Sequence, residues 1–70
     1  MSVARVTEIS ATSPDGFEAA IREGIERSNQ TLRHLQGAWV KEQEVRLNDG
    51  QIVDYKVILK VTFLLEDPEP

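Results

Sequence analysis

The chain has 70 residues, no cysteine, 40% hydrophobic residues and a formal net charge of -4, so it holds a single small domain. Its eight lysine and arginine residues are scattered and outnumbered by twelve acids, which argues against a nucleic-acid partner, and no apolar run reaches the roughly 18 residues of a membrane span. So short a chain without disulfides gains stability most readily by self-association, and we expect a cytoplasmic oligomer.

The first predicted element is a strand over residues 3–10, a stretch rich in β-branched side chains. The polar group at residues 12–16 is typical of a helix start. Ser13 can cap free backbone N–H groups, and Pro14 suits the first helical position because its missing donor would be unpaired anyway. These residues therefore predict a helix that begins directly after Ser13.

The predicted helix continues to about Gln36 and Gly37, where glycine can take the left-handed conformation that ends helices. Apolar or small residues recur at spacings of three and four and form one stripe: Phe17, Ile21, Ile25, Ser28, Leu32 and Leu35. The i,i+4 pair of Glu18 with Arg22 is typical of a solvated face. The stripe is therefore predicted to pack on the strands.

A β-hairpin is predicted after the helix. Asp49 and Gly50 favour the positive φ angles of a two-residue turn between strands at about residues 38–47 and 51–65. The second of these strands alternates, and one of its faces is expected to cover the helix: Val53, Tyr55, Val57, Leu59, Val61, Phe63 and Leu65.

The two-residue turn also predicts the pairing register of the hairpin. It places Val40 opposite Leu59, and Trp39 opposite Lys60 on the outer side of the sheet. It sets three charged residues opposite apolar ones, so that the faces exchange polarity towards the turn: Glu42 opposite Val57, Glu44 opposite Tyr55 and Arg46 opposite Val53. A helix of about 22 residues spans roughly 33 Å and a 14-residue strand roughly 46 Å, so the hairpin should extend beyond its helix and pack on neighbouring subunits.

Six segments, taken together and in this order, resemble the dodecin family: Val6-Thr7-Glu8-Ile9, Thr12-Ser13-Pro14-Asp15-Gly16, Thr31-Leu32-Arg33-His34-Leu35, Val40-Lys41-Glu42, Tyr55-Lys56-Val57 and Lys60-Val61-Thr62-Phe63. The resemblance implies an α+β fold of β-α-β-β order, with a three-stranded antiparallel sheet wrapped around one helix, in a hollow homododecamer. It implies storage or sequestration of a flavin (riboflavin, FMN or FAD) and no enzyme activity. The dodecin-like domain spans residues 1–65, and residues 66–70 form an acidic tail that contains proline.

The resemblance also assigns candidate flavin-binding positions. The tryptophan that stacks on the flavin in the family falls at Gly37, and the glutamine that bonds the polar edge of the ring falls at Lys56. Trp39 lies on the same side as Gly37, about 7 Å along the strand. It is either a replacement platform for the ring or a contact between subunits, and Lys56 is either a ligand contact or a solvated lysine.

Relatives without this tryptophan exist, and the chain is similar to that branch, which includes calcium dodecin. Glu42, Glu44 and Asp54 are therefore candidate ligands for calcium if symmetry brings several copies together. The alternative to flavin storage is a flavin-free dodecameric assembly that binds divalent cations such as calcium, or a purely structural one in which these acids lie on a solvated strand surface. The one histidine, His34, has no cysteine or second histidine beside it in the sequence, and Ser13 has no Ser-His-acid pattern, so neither metal binding by histidine nor nucleophilic catalysis is predicted.

Overall fold

The computed structural model describes residues 3–65, which form three strands and one helix. In chain order these are β1 (Ala4–Ser13), α1 (Phe17–Thr31), β2 (Leu35–Asn48) and β3 (Gln51–Leu64). The strands form one antiparallel sheet in the spatial order β1-β3-β2. The predicted β-α-β-β order and three-stranded antiparallel sheet are confirmed. The predicted acidic tail, residues 66–70, lies outside the described residues.

Helix α1 begins later than predicted. Its N-cap is Gly16, and no side chain caps it. Ser13 is fully buried, and its Oγ accepts a hydrogen bond from the Asp15 N–H at 3.1 Å in the turn before the helix. The prediction of Ser13 as the helix cap, with Pro14 at the first helical position, is therefore wrong. The hydroxyl instead stabilises the turn that leads from β1 into α1.

Helix α1 also ends earlier than predicted, at Thr31 rather than near Gln36 and Gly37. The Leu32 N–H donates to the Ser28 carbonyl at 2.8 Å, and the left-handed residue that follows is His34, with a φ of 60°. Leu35 begins β2 and packs against the core. Strand pairing and burial here outweigh the weak local preference for helix.

The core lies between α1 and the inner face of the sheet. Its fully buried apolar residues are Ala20, Val57, Leu59 and Val61. The alternation that predicted this face of β3 is thus confirmed at its centre. Seven partly buried side chains surround them: Ile9, Ala11, Phe17, Ile21, Ile25, Leu35 and Val40. Phe17 also meets Tyr55 edge to face, with ring centroids 5.1 Å apart.

The hairpin has the predicted turn but not a constant register. Asp49 and Gly50 have φ angles of 53° and 78°, as a two-residue turn requires. The predicted pairs Val40 with Leu59 and Trp39 with Lys60 are confirmed. Between these pairs and the turn, the partners are displaced by one residue: Glu42 with Ile58, Glu44 with Lys56 and Arg46 with Asp54. The predicted opposition of these residues to Val57, Tyr55 and Val53 is therefore wrong.

Two bulges cause the displacement. Lys41 is an extra residue of β2 after the Val40 pair, and Val53 is an extra residue of β3 before the turn, where the original register returns. Between the bulges Val45 pairs with Tyr55, while the charged residues pair with one another or with Ile58. The bulges keep the charged residues off the inner face, so the predicted exchange of polarity does not occur.

Candidate functional site

The candidate site lies on the sheet face opposite α1, here called the outer face. Glu8, Lys60 and Trp39 form one row across its three strands, because Lys60 pairs with Glu8 on one side and Trp39 on the other. The Trp39 residue is 69% exposed, and the Lys60 Nζ lies 5.8 Å from the centroid of its ring. The large aromatic ring therefore stands on the surface, with a cation over it.

The next row of the outer face has no side chain on β2. It consists of Gly37, Thr62 and Val6, again as pairing partners across the three strands. A Cβ built on Gly37 would meet no atom within 4 Å, so the space above this residue is open. With strands about 4.8 Å apart, the row spans about 10 Å beside the indole. We call this row the open floor.

An ion pair lies on the side of the Trp39 row that is away from Gly37. The Lys41 Nζ donates to the Glu8 Oε2 at 2.9 Å, and both side chains are exposed. This hydrogen bond lowers the pKa of Glu8 from its ordinary value, and the charge of Lys60 lowers it further. The same bond raises the pKa of Lys41, with a smaller contribution from Glu42. Lys41 is the bulge residue, so this contact depends on the irregularity in β2.

The remaining predicted site residues lie closer to the turn. Lys56 pairs with Glu44 in the sheet register, and the Arg46 Nε lies 2.9 Å from the Asp54 Oδ1. This Asp54 oxygen is buried and has no hydrogen bond of good geometry, so its contact with Arg46 is an ion pair. Within the part of the chain that is described, no three histidine, aspartate or glutamate residues come together in a group that could hold a metal ion.

Sequence reasoning missed a cleft between α1 and β1. Its volume is about 590 Å³, and its lining includes Ile9, Ala11 and Gly24 together with Glu23, Arg27 and Gln30. No local sequence pattern predicts such a cleft, because its presence depends on the distance between α1 and the edge strand β1. Sequence reasoning also missed the contact between Glu8 and Lys41, which lie 33 residues apart in the chain.

Comparisons with known proteins identify the family of this β-α-β-β chain. Residues 3–66 match the family model described as Dodecin. The chain belongs to the dodecin family. It is 38% identical over 65 residues to the dodecin of Thermus thermophilus, which covers 93% of this chain and 94% of that protein. A solved dodecin from Streptomyces davaonensis has a TM-score of 0.89 and 47% identity, covering 94% of this chain and 97% of the other.

Similarity to calcium dodecin is also confirmed. This dodecin is 30% identical over 70 residues to calcium dodecin of Mycobacterium tuberculosis, covering 100% of this chain and 99% of that protein. The crystal structure of that relative, described as having a novel calcium-binding site, has a TM-score of 0.81 and 29% identity, with 99% of each chain covered. Among residues 3–65 no helix is long and apolar enough to cross a membrane.

Proposed function

We propose that this dodecin is a small-molecule-binding cage and not an enzyme. Twelve copies form a hollow particle in the cytoplasm that stores or sequesters a flavin, either FMN or riboflavin. Membership of the dodecin family supports the cage. The observation that carries the flavin proposal is Trp39, an indole 69% exposed on the outer face beside the open floor at Gly37.

The residues present fit the ring of a flavin. An isoalloxazine ring has an apolar, planar body, and an exposed indole provides the π face on which such a ring stacks. Gly37 stands where the resemblance places the family's stacking tryptophan, and the space above it is open. The isoalloxazine ring would therefore lie above the open floor and stack against the Trp39 indole. The exposed indole would lose contact with water when the ligand binds, which favours binding.

Lys56 would join this site from a second subunit. Within one chain it lies four residues along β3 from Lys60, a distance of about 13 Å. It pairs with Glu44 there and does not border Trp39. A contact between Lys56 and a flavin on Trp39 would therefore require two copies to face each other, as the dodecin resemblance implies for ligands at subunit interfaces.

Titration of the assembled full-length protein with FMN and riboflavin tests the proposal. We expect both flavins to quench the Trp39 fluorescence, and equilibrium dialysis to show uptake by the particle. Trp39→Ala should weaken binding about tenfold, since the stacked aromatic pair is lost, whereas Trp39→Phe, the matched control, keeps an aromatic face and most of the affinity. A particle that takes up neither flavin would contradict the proposal.

Calcium binding is the second candidate, favoured by the similarity to calcium dodecin. Glu42, Glu44 and Asp54 share the outer side of the hairpin, but Glu44 faces Lys56 and Asp54 contacts Arg46. Calcium prefers six to eight oxygen ligands, so the acids would have to come from several subunits. If calcium raises the melting temperature of a particle that takes up no flavin, this second function is favoured over the first.

A further inference from the structure

Lys60 is a cation of the outer face that lies beside Trp39. Its Nζ lies 5.8 Å from the centre of the Trp39 ring. Among residues 3–65 it forms no ion pair at contact distance, because the ion pairs of this region join Lys41 to Glu8 and Arg46 to Asp54. Lys60 is therefore a cation beside the Trp39 ring that no anion of the described residues contacts.

The neighbouring charges leave Lys60 only partly neutralised. Glu8 is its partner in the sheet register, but the Glu8 Oε2 is bonded to Lys41 at 2.9 Å. The Glu8 carboxylate thus lies near two lysines but bonds only Lys41. Both lysines lower the pKa of Glu8, chiefly Lys41. Glu42 lies beyond the bulge and acts on Lys41. The Trp39 end of this row therefore favours an additional negative charge.

We propose that Lys60 makes the Trp39 site selective for ring ligands that carry a phosphate, so that FMN binds more tightly than riboflavin. This inference rests on the proposed function. The two flavins have the same ring and differ in the phosphate at the end of the ribityl chain, which is flexible enough to reach a side chain beside the ring. Lys60 thereby contributes specificity, whereas Trp39 contributes the affinity for the ring.

The test is the ratio of the riboflavin and FMN dissociation constants, measured by equilibrium dialysis with the assembled full-length protein. At low salt we expect FMN to bind about two- to fivefold more tightly, the range for one exposed ion pair, and the preference to shrink at high salt. Lys60→Met keeps an unbranched side chain against the indole but removes the charge. It should bring the ratio close to one.

A second variant tests the same idea in the opposite direction. Glu8→Gln leaves both Lys41 and Lys60 without their carboxylate, so the preference for FMN should rise about two- to fivefold. Arg22→Gln is the matched control, because it removes one positive charge on α1, on the other side of the sheet, and should leave the ratio unchanged.

The outcomes separate the two proposals. If the wild-type particle binds both flavins but Lys60→Met keeps the ratio, or Glu8→Gln lowers it, the role of Lys60 is overturned while the flavin function stands. If the particle binds neither flavin, both proposals are overturned.

Discussion

Gly24 shows how one residue sets the distance between the helix and the sheet. It is buried, and a Cβ placed on it would lie 3.2 Å from the Ala11 Cβ and 3.2 Å from the Leu59 Cδ1. A Cβ at this position would require Ala11 and Leu59 to give by a few tenths of an ångström, and a larger side chain would require more. The sequence places Gly24 inside a helix, where glycine lowers helix stability, and this cost is offset by close packing that is visible only in the tertiary structure.

Gly24→Val should therefore destabilise the protein. The added methyl groups would overlap Ala11 and Leu59, and overpacking of this kind costs about 1–3 kcal/mol of the free energy of unfolding. Thermal melting at a fixed protein concentration measures the loss. Asn29→Val is the matched control, because Asn29 is exposed on the same helix and the substitution adds the same β-branched side chain. Equal melting temperatures for the two variants would contradict the close packing at Gly24.

Trp39 and Gly37 show the limit of reasoning from single residues. The residue types and the period of two place both on the same side of β2. The structure adds that Trp39 is exposed, that Lys60 lies over its ring and that the space above Gly37 is open. The sequence does not decide between a ligand contact and a subunit contact for Trp39, because exposure and neighbours depend on the register of three strands.

At the scale of elements, the hairpin turn follows directly from its residues. Asp49 and Gly50 both have positive φ, a conformation that aspartate tolerates and glycine adopts freely. The turn depends only on local sequence, so it was predictable. The ends of α1 were not, because Ser13 is used by the preceding turn and Leu35 by strand pairing.

Substitution of Gly50 should destabilise the hairpin. Gly50→Val places a β-branched residue at a φ of 78°, and left-handed backbone of this kind costs about 1–2 kcal/mol. Asp49→Asn is the matched control, because asparagine also tolerates the left-handed region. Melting curves at equal protein concentration should show a lower transition for Gly50→Val alone. A Gly50→Val protein that melts with the wild type would indicate a different turn.

The bulges belong to the same scale but could not be predicted. A constant register through the turn placed charged residues on the inner face, and this apparent conflict was the only sign of an irregularity in the sequence. Lys41 and Val53 resolve it, each as one extra residue in a strand. A bulge is chosen by the pairing of two whole strands and by what each face must bury, so no short window of sequence specifies it.

At the scale of the whole molecule, the hairpin extends beyond the helix. The chain measures 58 × 19 × 13 Å along its principal axes. Helix α1 has 15 residues and spans about 22 Å, whereas each hairpin strand has 14 residues and spans about 46 Å. Four apolar side chains near the turn are exposed: Val45, Leu47, Ile52 and Val53. We expect this surface, the hairpin tip, to be covered by other copies in the cage.

A charge at the hairpin tip should therefore break the assembly. Leu47 is 59% exposed in the single chain, so Leu47→Glu should leave the subunit fold intact but place a carboxylate in the interface between copies. Light scattering after size-exclusion chromatography should show species smaller than the twelve-copy particle. Gln51→Glu, a charge at an exposed polar residue beside the turn, is the control. An intact particle with Leu47→Glu would place the interface elsewhere.

By itself, the sequence determined the order of the elements, the turn at Asp49 and Gly50, the buried centre of β3 and the dodecin resemblance. These features depend on local conformational preferences, on short periods of hydrophobicity and on the order of short segments, all of which can be read along the chain. The tertiary structure alone decided the ends of α1, the two bulges, and the position of Glu8 beside Lys60 and Lys41. Those features depend on pairing between whole strands, β2 with β3 at Leu35 and the bulges and β1 with β3 at Ser13 and Glu8, so no short segment of the sequence contains them.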